Sequence, residues 1–361
     1  MFFDKFRQAQ SRLPTGLIRV GPPAKKSALA AADRALPSPL PEELRSFLVS
    51  FDGADLFHGS VALGGVGNDA DPSLLTLNAD PTVQGDDLIF AEAELGDRFA
   101  LDQRGRVWRL RAGSDERVLA GSAFGKWLDA VVAREQILYD KEGEFNADAF
   151  EPDGEEVTPQ TARRQAERAL RQDPGSAEAH HDLGTALRRL GRHREATQAL
   201  AAATALDPSN PWPWFDLGRL LLTEVQDAPA AATAFSAAAA HETGLSAARL
   251  CAWVARAAEQ AGDRPQLEQA RRVAMARDAG IEDDLRRAVD AAERDADAPA
   301  MDEARALLRA LTGQPVPTPR RRLPVVTDKG SEHAAAPSRQ PAVRSDAASK
   351  LAKTRRRKPA R

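Results

Sequence analysis

The chain has 361 residues, a formal net charge of -3 and 42% hydrophobic residues, which is enough sequence for more than one hydrophobic core. Its single cysteine, Cys251, rules out a disulfide within the chain and gives no sign of an oxidising compartment. Asp4, Lys5 and Arg7 interrupt the first apolar residues, and no run approaches the roughly 18 consecutive apolar residues of a membrane helix. We therefore expect a cytoplasmic protein of several domains with no membrane partner.

Charge is distributed unevenly along the chain. Residues 314–361 carry 13 Lys and Arg against 3 Asp and Glu, a net charge of +10, whereas residues 1–313 carry a net charge of -13. The C-terminal segment is rich in Pro, Ala and Ser and has few large apolar side chains. It cannot bury enough surface to offset the entropy lost on ordering, so the sequence predicts a disordered basic tail over 314–361.

The first 28 residues are predicted to form an irregular segment, because Gly21, Pro22 and Pro23 interrupt any regular element. Residues 29–136 then alternate short apolar segments with Gly and Pro, a texture typical of strands, and helical patterns open and close this stretch. We predict an α+β domain in the order helix, antiparallel sheet, helix. The predicted elements are a helix over 40–51, strands over 56–63, 87–91, 98–102 and 106–111, and a helix over 124–132.

The order of elements and three segments of this stretch resemble the SUKH superfamily, the fold shared by fungal cell-wall regulators and many bacterial immunity proteins. The segments are LPSPLPEELRSFLVSFDGADLF, LGDRFALDQRGRVWRL and SAFGKWLDAVV. The resemblance implies a non-enzymatic binding domain, often a cytoplasmic antidote to a secreted toxin. The matching residues are Leu36 and Pro37, Phe47 and Leu48, Asp52 and Gly53, Phe99, Gly105, Val107 and Trp108, and Phe124 to Leu128.

After a predicted linker over 137–160, the chain becomes periodic. The unit that starts at Ala177 is 34 residues long and fits two helices joined by a turn at Gly191, where a permissive backbone is needed. Small residues at fixed spacing would let the two helices approach closely, while leucines fill the space between pairs. The residues that set this pattern are Leu183, Gly184, Leu187, Ala196, Leu200 and Ala203.

This pattern resembles the tetratricopeptide repeat. A second copy runs over 211–244 with one inserted residue near Gln226, and a weaker third copy starts near Ala248. Upstream, the chain matches only the second helix of a unit, which indicates an incomplete first repeat; downstream, a more polar helix pair would close the solenoid. We therefore predict an all-α helical-repeat solenoid over 161–313.

The repeat resemblance implies a concave groove lined by the first helix of each copy. Trp212 and Phe215 at such positions would be good anchors for a peptide or a partner helix, or one of them would cover a neighbouring helix or the N-terminal domain. The Lys/Asn/Arg clamp that some family members use for acidic C-termini is not present. The predicted groove residues are Glu178, His181, Thr185, Arg188, Trp212, Phe215 and Arg219.

A second candidate surface lies in the N-terminal domain, where residues 46–97 contain ten acidic residues and no Lys or Arg. Such a stretch would form either a solvated face or a docking face for a basic partner, such as the nucleic-acid-binding cleft of a nuclease toxin. The residues proposed for docking are Asp69, Asp71, Asp86 and Asp87.

Motifs for catalysis or metal binding give no candidate site. The glycines of LGGVGND, which begins at Leu63, lack the spacing of a nucleotide-binding loop, so a turn between strands is the better reading. His180 and His181 are adjacent on a predicted helix and point about 100° apart, so they cannot easily share a metal. Cys251 lies on an alanine-rich helix and is read as a buried, inert thiol. We predict no catalytic residue, cofactor or metal.

These features together predict a non-catalytic, protein-binding adaptor or an immunity-type protein that neutralises a toxin. Its partners would be a protein or a peptide, including a basic toxin domain. The alternative is a nucleic-acid-associated scaffold recruited by the basic tail, which could neutralise several phosphates without sequence preference. Simple solubilisation, or a contact between the tail and the acidic body, would explain the same charge.

Overall fold

The computed structural model describes residues 3–67, 69–79 and 87–314. In this part of the chain the N-terminal domain has one antiparallel sheet, in which each strand pairs with the next strand along the chain. The segment predicted to be a disordered tail lies outside the described residues from 315 onward. The strands are β1 (Ile18–Val20), β2 (Ala54–Leu56), β3 (Val61–Leu63), β4 (Leu88–Ala93), β5 (Arg98–Leu101), β6 (Val107–Leu110) and β7 (Arg117–Gly121).

Helices precede, interrupt and follow this sheet, and the remaining helices form the repeats. The N-terminal helices are α1 (Asp4–Arg12), α2 (Lys26–Ala35), α3 (Glu42–Leu48), α4 (Leu74–Leu77) and α5 (Phe124–Glu135). The repeat helices are α6 (Pro159–Gln172), α7 (Ala177–Arg189), α8 (His193–Leu206), α9 (Pro211–Leu220), α10 (Ala228–Ala240), α11 (Gly244–Ala261), α12 (Arg264–Arg277), α13 (Ile281–Arg294) and α14 (Ala298–Thr312). The predicted α+β domain followed by an all-α solenoid is confirmed.

Aromatic side chains fill the core between the sheet and its helices. Phe90 of β4 lies with its ring centroid 5.3 Å from Phe124 and 5.0 Å from Trp127, both on α5. Phe47 of α3 lies 5.6 Å from Phe124. All four side chains are buried, so the opening and closing helices of the predicted domain are held by one shared aromatic cluster.

The N-terminal segment differs from the prediction, since residues 1–28 were expected to be irregular. Helix α1 buries Phe6 completely against Phe47 and Phe51, and β1 extends the sheet by pairing with β2. Neither element is long enough to give a clear periodic signal. Both are stabilised by packing on the rest of the domain, which a local pattern does not reveal.

The sheet itself also differs in two places from its predicted strands. The single strand expected over 56–63 is two strands, β2 and β3, because Phe57 and His58 take the left-handed conformation and reverse the chain. In addition, β7 was not predicted, although it pairs with β6 and forms the last strand of the sheet. Its single charged position, Arg117, lies at the start of a short apolar run.

The predicted linker over 137–160 is ordered and packs against the N-terminal core. Tyr139 donates a hydrogen bond from its hydroxyl to the carbonyl oxygen of Phe57 at 3.2 Å, and its ring stacks on Phe145 at 4.8 Å. Phe150 and Val157 form an isolated bridge and lie against the same core. Four apolar side chains thus anchor the predicted linker to the N-terminal core.

Close helix contacts explain the small residues of the repeats. A Cβ atom at Gly184 of α7 would lie 2.6 Å from Leu200 of α8, and one at Gly218 of α9 would lie 2.7 Å from Phe235 of α10. The residue inserted in the second copy is absorbed by a π-helical turn over Leu221–Val225, after which Gln226 takes the left-handed conformation. The predicted position of the insertion is therefore correct.

Candidate partner-binding surfaces

Trp212 is the most exposed large side chain of the predicted groove. It lies in the first turn of α9 and is 48% exposed, with its ring 6.3 Å from Phe215. Phe215 is instead packed between Phe235 and Trp253, with ring centroids 5.9 and 5.7 Å away. Of the two predicted anchors, Trp212 is accessible, whereas Phe215 covers neighbouring helices.

His181 joins two repeats across the groove. Its Nε2 atom lies 2.8 Å from Oδ2 of Asp216, so α7 and α9 are bridged by one hydrogen bond. Burial by itself lowers the pKa of His181, but the hydrogen bond to Asp216 and the nearby carboxylates of Asp182 and Glu178 outweigh it and raise the pKa above its ordinary value. Thr185 and Arg188 lie half-buried further along α7.

The raised pKa of His181 predicts a pH-dependent contribution to stability. A group whose pKa is raised on folding stabilises the folded state below its ordinary value, here 6.5, and loses that effect as the pH rises through the folded value. We expect His181→Gln to lower the melting temperature by about 2–4 °C at pH 5.5 and by less at pH 8.5. Thermal unfolding at both pH values measures this. His241→Gln, at an exposed histidine, is the control. A change in melting temperature for His181→Gln that is the same at both pH values would contradict the prediction.

Glu178 is not a groove residue, which corrects the prediction. Its carboxylate is buried and lies 2.5 Å from Nη1 of Arg109 on β6. Arg109 also pairs with the buried Asp97 at 2.7 Å. Burial tends to raise the pKa of Glu178, but Arg109 and Arg134 outweigh it and lower the pKa. The side chain therefore stays charged and joins the N-terminal domain to the first complete repeat.

Further contacts make this junction extensive. Asp173, which follows α6, is fully buried and accepts hydrogen bonds from the backbone N–H and the hydroxyl of Ser122 at 2.6 and 2.7 Å. Asp207 accepts a bond from the N–H of Leu119 on β7 at 3.3 Å. Strand β7 is the last of the sheet, and α7 packs against it. The solenoid thus covers a sheet edge that would otherwise be free to pair with other chains.

Arg219, another predicted groove residue, is paired with a residue of its own chain. Its Nη2 atom donates to Oε2 of Glu303 on α14 at 3.1 Å. The guanidinium group lies 5.8 Å from the ring centroid of Phe215 and 5.7 Å from that of Trp253. Helix α14, the last helix among the described residues, therefore reaches Arg219 of the second repeat.

In the acidic stretch of the N-terminal domain, three acidic residues pair with basic residues from outside it: Asp55, Asp87 and Asp97. Asp87 pairs with Arg117 at 3.0 Å, so it does not belong to an unpaired docking face. Asp69 and Asp71 are exposed, and Asp86 lies outside the described residues. Asp52 accepts from the N–H of Val66 and Gly67, Asp55 pairs with Arg19, and Asp97 pairs with Arg109.

The residues considered for chemistry take structural positions. Asp52 holds the glycine-rich segment as a turn through its bonds to Val66 and Gly67, at 2.6 and 2.8 Å. Burial raises the pKa of the Cys251 thiol, which lies in α11. Across residues 3–67, 69–79 and 87–314, no three His, Cys, Asp or Glu side chains are grouped so as to hold a metal ion. The same residues contain no helix long and apolar enough to cross a membrane.

Two family models match the chain. Residues 23–130 match the SMI1 / KNR4 family (SUKH-1), and residues 177–220 match the tetratricopeptide repeat. The chain therefore carries a SUKH-1 domain on its N-terminal side, followed by tetratricopeptide repeats. A comparison with curated proteins gave no match.

Solved structures with partial similarity are also known. A crystal structure of MamA is 19% identical over 42% of this chain and 86% of its own, with a TM-score of 0.31. YrrB, described as a TPR protein with an unusual peptide-binding site, is 15% identical over 43% and 78%, with a TM-score of 0.30. PilF of Pseudomonas aeruginosa is 18% identical over 52% and 75%, with a TM-score of 0.30.

Proposed function

We propose that this protein is a non-catalytic adaptor of the immunity type, and that its repeat groove binds a segment of a partner protein. The observation that carries the proposal is the exposure of Trp212 beside the ring of Phe215, at the groove side of α9. A large aromatic side chain left half exposed next to a rigid aromatic neighbour is a typical binding anchor. The SUKH-1 and tetratricopeptide families to which its two parts are matched are both typical of protein interaction.

The groove available for such a segment has defined ends. On one side Glu178 is closed off by Arg109 of the SUKH-1 domain, and on the other Arg219 is occupied by Glu303. Of the other predicted groove residues, Thr185 is half-buried and Trp212 is exposed.

A basic toxin domain is the partner that we propose for the SUKH-1 domain. Asp69 and Asp71 are exposed, and Leu75, which is 44% exposed, lies in the same part of the chain. Charged residues beside one apolar side chain combine electrostatic steering with a contact that excludes water. Asp87 is left out of this surface because Arg117 already neutralises it.

The proposal is tested by replacing Trp212 with Ala. After a partner has been isolated from the native host with the full chain, its affinity for each variant is measured by calorimetry. We expect Trp212→Ala to weaken binding at least tenfold, about 1.4 kcal/mol, with the melting temperature unchanged. Leu206→Ala removes a similarly exposed apolar side chain, 37% exposed, from the end of α8 and should leave the affinity unchanged. Equal affinities for wild type and Trp212→Ala would refute the groove assignment.

A further inference from the structure

The last two helices that the structure describes, α13 and α14, do not continue the stacking of the repeats. In the preceding repeats, the first helix of each unit rests on the second helix of the unit before it, as α9 does on α8 and α11 on α10. Helix α13 has almost no contact with α12 and packs mainly on α14, while α14 lies against α11. The hairpin of α13 and α14 therefore folds back onto a first helix, instead of adding a further layer to the solenoid.

The face of α11 that the hairpin covers is its groove face. Gly191 and Gly262 both have a positive φ and end the first helix of their repeats, so positions can be counted back from them. By this count Arg249, Arg256 and Glu259 of α11 are equivalent to Glu178, Thr185 and Arg188 of α7. In the repeat pattern the latter three are groove positions, although Glu178 itself is covered by Arg109 of the N-terminal domain.

Each of these α11 residues meets the hairpin or lies beside it. Arg249 forms a bidentate pair with Asp284 of α13, with distances of 2.7 and 2.9 Å. Glu259 pairs with Arg309 of α14 at 3.1 Å. On α9, Arg219 reaches Glu303 of α14 at the same distance. Charges of the groove and of the hairpin are thus complementary at three separate points.

Apolar contacts hold the same hairpin in place. Leu307, Leu308 and Leu311 of α14 are buried in one cluster with residues of α9, α10 and α11. Ile281 and Leu285 of α13 belong to that cluster as well. Leucines at three- and four-residue spacing on one side of a helix are the pattern of an amphipathic helix lying in a groove.

With the hairpin in place, two hydrogen-bond donors of the groove lack an acceptor. The Nε atom of Arg219 and the Nη1 atom of Arg256 are buried and have no hydrogen-bond partner among the described residues. Burial lowers the pKa of Arg256; Glu303 opposes that effect, and Arg219 and Arg309 add to it. Buried donors without acceptors are unfavourable. A helix whose carboxylate reached these two arginines would form hydrogen bonds that α14 does not form.

We propose that the groove binds an amphipathic helix of the α14 type, with leucines on one face and carboxylates directed at the arginines, and that the hairpin of α13 and α14 is its internal competitor. This rests on the proposed function of the groove as a site for a protein segment, and it names the class of that segment. A partner helix enters the groove by displacing the hairpin. It therefore binds only if its affinity for the groove exceeds that of the hairpin.

The test uses the full chain and a fluorescein-labelled synthetic peptide of residues 281–314. In the double variant Asp284→Arg, Glu303→Arg the hairpin meets arginines with like charge, whereas the peptide keeps both carboxylates. We expect the peptide to bind this variant at least tenfold more tightly than wild type, as measured by fluorescence anisotropy. Glu282→Arg disrupts only a pair with Arg286 within α13 and is the control. The control should behave as wild type.

A second double variant separates release of the hairpin from recognition of the peptide by the groove. Arg219→Glu, Arg249→Glu also repels the hairpin but removes the groove charges that the peptide needs, so it should not bind the peptide. Hydrogen exchange over 298–312 reports release in both variants, while continued protection of α9 and α11 shows that the repeats stay folded. Release without peptide binding in the first variant, unchanged exchange in both variants, or equal binding by wild type would overturn the proposal. The peptide assay does not involve the natural partner. Its outcome is therefore independent of the test in which Trp212→Ala is measured against that partner.

Discussion

Replacing Asp173 with Ala is expected to lower the free energy of unfolding by about 2–4 kcal/mol. Its carboxylate is fully buried between the SUKH-1 domain and the repeats and accepts three hydrogen bonds, from the N–H and hydroxyl of Ser122 and from the N–H of Gly175 at 3.0 Å. Alanine leaves these partly buried donors without that acceptor. The site cannot relax easily, since a Cβ atom at Gly175 would already lie 2.7 Å from that of Ser122.

Urea unfolding followed by tryptophan fluorescence measures this effect. Asp115→Ala is the control, because Asp115 is exposed on the loop before β7 and its replacement should change stability by less than about 0.5 kcal/mol. Asp173→Asn keeps one acceptor oxygen and should fall between the two. A loss below about 1 kcal/mol for Asp173→Ala would show that the junction does not depend on this carboxylate.

Replacing Gly218 with Val should destabilise the solenoid by about 3 kcal/mol or more. The Cβ atom would stand 2.7 Å from two ring atoms of Phe235, which is itself completely buried. Phe235 also stacks on Trp253 at 5.2 Å, so it cannot move aside without disturbing the third repeat. Valine would therefore force α9 and α10 apart.

A glycine without such a neighbour provides the matched control. At Gly125, in the first turn of α5, a Cβ atom would meet only Phe3 at 3.6 Å and Glu43 at 3.8 Å, which are ordinary contacts. Gly125→Ala should be neutral or stabilise by up to about 1 kcal/mol, because it restricts the unfolded chain. Thermal unfolding of both variants tests the comparison. Similar melting temperatures for Gly218→Val and Gly125→Ala would refute the close-approach explanation.

Helix α6 connects the SUKH-1 domain to the repeats. Helix α6 matches only the second helix of a repeat, and in the structure it packs against α5 on one side and α7 on the other. Ala130, Ala169 and Ala179 of these three helices meet in one small cluster, where large side chains would not fit. The closing helix of the SUKH-1 domain thus takes the place of the missing first helix.

The sequence by itself determined the features that depend on local spacing. Gly184 and Ala196 had to be small because the two helices of a repeat are joined by a short turn and must touch at these positions. That requirement recurs in each repeat. The strands over 98–102 and 106–111 were also predictable, since a tight turn with Gly105 joins two apolar segments. Both families were recognisable for the same reason, because their patterns consist of neighbours along the chain.

Only the tertiary structure decided which charges are free. Glu178 looks like any groove residue in the repeat pattern, yet Arg109 neutralises it from 69 positions away. Arg219 meets Glu303 across 84 positions, and Asp87, just before β4, meets Arg117 of β7, a strand that does not pair with β4. A Coulomb interaction depends on distance in space and on burial, neither of which a spacing along the chain contains. The residues of the acidic stretch and of the groove were therefore predictable from the sequence. Which of them remain accessible depends on the distant segments that fold onto them.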